Sequence, residues 1–183
     1  MALKLVTAPE TEPVSLSEAK DHLRVTADDQ DSYIAGLVAA ARQYAELRTN
    51  RAFATQTWRV SLGAFPEDGV IELPMTPFGA IVSVKYVDLW GVLQTLSSTT
   101  YQVDDQDEPA RLLPAYLLYW PATRDEPNAV RVEFTAGYGD ADNIPDGIKA
   151  AIKLRTQHLY DGDEAAAAAA DQLLEGYRLP RIH

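Results

Sequence analysis

Three histidines, His22, His158 and His183, are the natural starting point for chemistry, because neutral imidazole is the usual zinc ligand and general base. They lie in separate segments and lack the His-x-x-x-His spacing that sets two ligands on one helical face. His158 reads instead as a packed or capping residue of its helix. The chain has no cysteine, which excludes disulfides, thiolate metal sites and cysteine nucleophiles. There is no Gly-x-Ser-x-Gly elbow, and Ser97-Ser98-Thr99-Thr100 reads as a hydroxyl-rich strand or loop. Gly137-Tyr138-Gly139 is followed by neither Gly-Lys-Ser/Thr nor a third glycine before a helix, so it reads as a sharp turn at a strand end. The acidic groups Asp104-Asp105-Asp107-Glu108 and Asp140-Asp142-Asn143 could offer oxygen ligands to calcium. Neither has the spacing of an EF-hand loop, and both read as solvated loop carboxylates. A carboxylate pair for glycoside hydrolysis is a three-dimensional property that the sequence leaves open. No catalytic residue, cofactor-binding residue, metal ligand or cofactor is therefore assigned.

Aromatic side chains gather in the middle of the chain, as Trp58, Tyr86, Trp90, Tyr101, Tyr116, Tyr119 and Trp120. Such residues serve a protein interface or a sugar platform, with core packing the default for about half of them.

The elements that must position these residues follow from composition and periodicity. At 183 residues with 46% apolar and 23% charged content, the chain has the make-up of a globular protein able to bury a core. The N-terminal residues Met1-Ala2-Leu3-Lys4-Leu5-Val6 lack a signal-peptide pattern, and no apolar run approaches a membrane span, so synthesis in the cytoplasm is expected. A formal net charge of −11 opposes a surface that grips nucleic acid, since such surfaces neutralise phosphates with Lys and Arg. The same charge keeps a protein soluble, and it would let DNA pass an assembly without sticking.

Pro9 and Pro13 mark residues 1–14 as an extended lead-in. Ser15 and Glu18 form a capping box for a helix carrying Leu16, Ala19 and Leu23 and ending near Arg24. A second helix starts among Asp28, Asp29 and Asp31 and stops near Asn50; its apolar stripe is Ile34, Leu37, Val38, Ala41, Tyr44 and Ala45, with Arg42, Glu46 and Arg48 outside it. From Thr55 the period becomes two: Trp58, Val60 and Leu62 alternate with polar residues, as in a half-buried strand. Further strands are expected at 70–73, 81–89, 92–96, 101–103 and 130–135, with a hairpin tip at Asp88-Leu89-Trp90-Gly91-Val92-Leu93. Helix returns after Ile144-Pro145-Asp146, with a stripe of Ile148, Ala151, Ile152, Arg155 and Leu159. Asp161-Gly162-Asp163 breaks it, and the alanines from Ala165 open a last helix that carries Leu173 and Leu174 to Gly176. The fold class is thus α+β: a small α-helical bundle (15–52 and 144–176) with an inserted antiparallel β subdomain (53–143) and a basic tail (177–183).

Glu12-Pro13-Val14-Ser15-Leu16-Ser17-Glu18-Ala19-Lys20, then His22-Leu23-Arg24-Val25 and an acidic turn into Ile34-Ala35-Gly36-Leu37, resembles the opening of the head-tail connector (adaptor) family of long-tailed bacteriophages and gene transfer agents. The resemblance continues through Thr55-Gln56-Thr57-Trp58, Trp120-Pro121-Ala122-Thr123, and Asn128 to Phe134-Thr135-Ala136-Gly137-Tyr138-Gly139, then Ile144-Pro145 and Ile148-Lys149-Ala150-Ala151-Ile152. The Phe-Thr-Ala-Gly-Tyr-Gly block with its following proline and helix is the most specific part. Two places depart from the pattern: His158-Leu159-Tyr160-Asp161-Gly162-Asp163 stands where relatives carry His-Trp-Tyr and Asn-Arg-Glu, and an alanine run precedes the loosely similar Leu173-Leu174 and Tyr177-Arg178.

The resemblance implies a structural protein and not an enzyme: an adaptor ring, commonly a dodecamer, in the neck of the virion. It would join the portal protein of the DNA-filled head to the next neck or tail-completion protein. DNA would pass through the lumen without specific binding, and no membrane would be involved. It further implies portal contacts from Tyr177, Arg178, Leu179, Pro180 and Arg181, and subunit contacts from Ile34, Leu37, Arg42, Glu46 and Arg48. A head-completion stopper or tail terminator would suit the same β insert. A carbohydrate-binding or hydrolytic domain would use the aromatics and carboxylates.

Overall fold

The computed structural model describes residues 1–179, and its first element is a strand, β1 (Ala2–Thr7). The rest follow in chain order as α1 (Leu16–Leu23), α2 (Asp31–Thr49), β2 (Gln56–Leu62), β3 (Ile71–Leu73), β4 (Phe78–Val87), β5 (Leu93–Thr95), β6 (Tyr101–Asp104), β7 (Ala110–Pro114), β8 (Val130–Ala136), α3 (Asp146–Asp161) and α4 (Glu164–Glu175). The chain is α+β and forms two units: Met1–Ala8 with Thr55–Gly137, and Pro9–Ala54 with the described residues from Tyr138 on.

In the β unit, five antiparallel strands run in the order β1-β2-β8-β4-β5, and three more form a second sheet, β3-β7-β6. The last strand in sequence, β8, lies in the middle of the larger sheet. It pairs Val130, Val132 and Phe134 with Leu62, Val60 and Trp58 on one side and with Tyr86, Val84 and Ile81 on the other. The period-two pattern therefore puts one apolar row on one face, where Val60, Val84, Val132 and Phe134 are fully buried. Ile71, Leu73, Ala110 and Leu112 supply the buried residues of the smaller sheet.

Two strands escape the sequence pattern. β1 falls in the segment read as an extended lead-in; it is extended, but it pairs with β2 from Ala2↔Ser61 to Thr7↔Thr57 as a sheet edge. All six of its residues are exposed, so it shows no alternation of burial to betray it. β7 follows Pro109, whose ring reads as a break, and ends on Pro114; only Ala110 and Leu112 point inward.

In the helical unit, α2 buries Ile34, Val38, Ala41 and Ala45 at helical spacing. α3 contributes Ile148, Ala151 and Ile152, and α4 contributes Ala170 and Leu174, to a core that also holds Val14, Ala19 and Phe53. The alanine run of α4 has a packing role: Ala166, Ala167 and Ala170 are buried, and short side chains let helix axes approach closely. α2 ends at Asn50 with φ +60°, a left-handed cap that asparagine tolerates.

The capping box expected at Ser15 is present. Its hydroxyl accepts from the Glu18 amide at 3.2 Å, and the Glu18 carboxylate accepts from the Ser15 amide at 2.9 Å. That backbone bond, then the Ser15 hydroxyl and Lys153 of α3, hold the Glu18 carboxyl below its ordinary value of 4.5. A carboxyl lowered in this way binds fewer protons folded than unfolded, so its stabilisation is complete above pH 4.5 and lost as pH falls through the folded value. We expect Ser15→Ala to cost about 1 kcal/mol at neutral pH. Chemical denaturation followed by circular dichroism should show that cost shrinking below pH 4.5, where Glu18 takes up its proton.

Candidate functional site

The residues singled out for chemistry are spent on local structure. His22 Nε2 lies 2.9 Å from Gln157 Oε1, and His158 Nδ1 lies 3.1 Å from the carbonyl oxygen of Asp163, at the α3–α4 break. His183 lies outside the described residues. Ser97 caps the short turn 98–100, and Thr100 returns its hydroxyl to the Ser97 carbonyl at 2.7 Å. Gly137 and Gly139, with φ of +135° and +91°, turn the chain out of β8. Among the described residues no group of three or more His, Asp or Glu is arranged to hold a metal ion, and no helix is long and apolar enough to cross a membrane.

What remains is surface. The hairpin tip between β4 and β5 is held by one carboxylate: Asp88 Oδ1 accepts from the amides of Trp90 (3.0 Å) and Val92 (2.9 Å), and Oδ2 accepts from Gln94 Nε2 (2.8 Å). The Gln94 bond, then the Val92 and Trp90 amides, lower the Asp88 carboxyl below its ordinary value. Gly91, at φ +85°, closes the turn. The clamp leaves Trp90 84% exposed, flanked by Leu89, Val92 and Leu93, all exposed. A second apolar prominence follows β7, where Tyr116, Leu117 and Tyr119 are 85%, 79% and 92% exposed. Nearby, Phe65 stacks on Trp120 at 4.7 Å, and Trp120 Nε1 donates to the Gly69 carbonyl at 2.9 Å; both rings line an open groove with Pro66, Pro114 and Pro121. The central aromatics thus divide: Trp90, Tyr116 and Tyr119 are on the surface, while Trp58, Tyr86, Tyr101 and Trp120 are half-buried.

Among the positions proposed for subunit contacts, Ile34 is fully buried in the core of its own unit. Arg42 and Glu46, read from sequence as outside the apolar stripe of α2, are buried as well, with 5% and 7% exposure. They can be buried because they complete each other. Arg42 Nη1 donates to Glu46 Oε2 at 2.6 Å, Arg42 Nε donates to Glu12 Oε2 at 2.7 Å, and Glu46 Oε1 accepts from the Phe53 amide at 2.8 Å. Burial works against the Arg42 charge, but the bond to Glu12 and the charge of Glu46 outweigh it and raise its pKa. This network ties the segment before α1 and the segment after α2 to the middle of α2. Leu37 is half-buried, and Arg48 is exposed beside Asp171 (3.6 Å) and Glu175 (3.9 Å). The open face of α2 is carried by other residues, among them Tyr33 (54% exposed) and Leu47 (71%).

The tail proposed for portal contact begins attached. Tyr177 packs against the helical core and its carbonyl accepts from Arg51 Nε at 2.7 Å, while the Leu179 amide donates to the Thr49 carbonyl at 2.9 Å. Arg178 is exposed and pairs with Glu175 at 3.3 Å. Pro180 and Arg181 lie outside the described residues.

Comparison with known proteins gives this surface a context. Residues 13–90 match the family described as Phage gp6-like head-tail connector protein. Over its whole length the chain superposes on a chain from the virion of a native gene transfer agent (GTA) particle, with TM-score 0.81, 25% identity and 98% of that chain covered. It also superposes on chains from the neck of an empty GTA particle computed with C6 symmetry (TM-score 0.82, 24% identity) and from the neck of a native GTA particle computed with C12 symmetry (TM-score 0.82, 23% identity), again covering 100% of this chain and 98% of each. No curated protein sequence matches it. Residues 13–90 are thus similar to the phage gp6-like head-tail connector family, within a chain that has the fold of the GTA particle-neck chains over its whole length.

Proposed function

We propose that this chain is a structural neck protein of a phage or gene transfer agent particle, an adaptor ring at the interface of head and tail, with no enzymatic role. The observation that carries the reading is the full-length likeness to a gene transfer agent particle chain, with the connector family signature in the same polypeptide. The inventory of surfaces supports it. A protein whose work is docking needs exposed anchors held in place, and Trp90 on its carboxylate-clamped turn is such an anchor. Copies in a ring meet through two different surfaces, so apolar groups exposed on one copy become covered on assembly. On this reading the exposed side of α2, with Tyr33, Leu37, Leu47 and Arg48, faces a neighbouring copy, and the Trp90 tip or the 116–119 prominence meets the next neck or tail protein.

The tail is the portal-docking element of this reading, and the structure divides it. The contacts of Tyr177 and Leu179 hold the helical unit together, while Arg178 is exposed toward a partner. The test is binding of the purified chain to isolated portal rings, by cosedimentation and electron microscopy. Deleting residues 180–183 should weaken portal binding roughly tenfold or more, the loss of about 1.4 kcal/mol. Deletion after Gly176 should also destabilise the fold. Undiminished binding after the shorter deletion would remove the tail from the docking surface; absence of any binding to portal, with absence of the chain from particle necks, would remove the function.

A further inference from the structure

The acidic balance of this chain hides a local inversion. Four of the six basic residues of the β unit, Lys4, Arg59, Lys85 and Arg131, fall on one face of the larger sheet, opposite the buried row of Val60, Val132 and Val84. The pairing registers fix this: Lys85 lies directly across from Arg131, Lys4 directly across from Arg59, and Arg59 directly across from Glu133. The result is a diagonal band with one cation from each of four adjacent strands, β4, β8, β2 and β1, about 15 Å across at ~4.8 Å per strand. Glu133 is its one carboxylate and is bonded to Arg59, leaving the band at +3. Lys4 and Lys85 make no ion pair among the described residues. With the chain at −11 overall, everything outside the band carries −14.

The densest answering charge is in the same unit. The turn from β6 to β7 carries Asp104, Asp105, Asp107 and Glu108, with Arg111 as its nearby cation, for a net −3. Asp105, Asp107 and Glu108 are exposed.

We propose that the cationic band is a contact surface for a second copy of this chain, and that its partner there is the acidic 104–108 turn of the neighbour. The charges of the two surfaces match in number and oppose in sign, and they are different surfaces of one molecule. A contact between them is heterologous, the kind that propagates around a ring. The proposal rests on the ring reading above and supplies it with a contact that the helices do not provide. DNA fits the band less well: its phosphates would also meet the −14 carried by the rest of the chain.

Zero-length carbodiimide coupling tests it, because it joins an amine to a carboxylate only when they touch. The full-length chain is prepared with ordinary and with heavy nitrogen, mixed, coupled at low salt and mapped by mass spectrometry. Links that join light to heavy copies should run from Lys4 and Lys85 to residues 104–108, and should fade at high salt. The pair Lys85→Glu and Arg131→Glu should reduce them about tenfold, as should the pair Asp105→Lys and Asp107→Lys, which alters only an exposed turn; combining the two mutant chains should restore them. Absence of mixed-mass links at these lysines, or links indifferent to both variants, overturns the proposal. So does duplex DNA binding at low salt that is lost in Lys85→Glu with Arg131→Glu. A particle reconstruction showing this chain in a ring with the band and turn apart would sink the contact and leave the ring standing.

Discussion

Replacing Glu46 with alanine should lower the unfolding free energy of the helical unit by about 3–5 kcal/mol. The size follows from what is left behind. Glu46 joins the buried Arg42 guanidinium to the buried Phe53 amide, so its removal strands a charge and a backbone donor together. Arg42 keeps only Glu12, which is the more exposed of its two partners. Glu46→Gln is the informative comparison. Its amide oxygen can still accept from Phe53 while the charge is gone, so its cost should be roughly half that of alanine. Urea denaturation monitored by helical circular dichroism measures both. Equal costs for the two variants would show that the acceptor kept for Phe53 is immaterial and the charge carries the whole effect, and a cost below about 1 kcal/mol for alanine would show that the network contributes little.

Phe134→Ala should be as damaging in the β unit, at about 3–5 kcal/mol. Phe134 is fully buried on the central strand β8, bonded on both sides, and its ring stacks near Phe78 with centroids 6.4 Å apart. A truncation there opens a cavity in a position that neither neighbouring strand can leave. Phe134→Leu, which keeps most of the volume, should cost about 1–2 kcal/mol. Near-ultraviolet circular dichroism and tryptophan fluorescence report this unit, because the three tryptophans, Trp58, Trp90 and Trp120, all belong to it.

Legibility followed burial. Helix α2, the strand at Trp58, Val60 and Leu62, and the capping box at Ser15 each show in the sequence because one face is apolar or one local bond is stereotyped. β1 was invisible for the opposite reason: an edge strand exposed along its whole length has no pattern to display. The buried pair Arg42 and Glu46 also misleads any reading by polarity, since an ion pair at i, i+4 looks the same on paper whether it is solvated or enclosed. One signal was available: Phe53, an apolar residue just past the helix end, needs an acceptor for its amide once buried. Which aromatics are exposed was the least legible part. An exposed Trp90 and a half-buried Trp120 differ in their surroundings, which are set by strands far away in sequence.

The polypeptide passes between the two units three times, at 8–9, 54–55 and 137–138, so neither unit is written in one stretch. The larger sheet waits for β8 before its middle exists, and the helical core waits for Leu174 before it closes. On a ribosome emitting residues one by one, the β unit has all its strands once Ala136 is out, while the helical unit, begun earlier at Pro9, is the later of the two to close. A chain cut between Ala136 and Leu174 would thus carry every strand of its sheets beside a helical core left open.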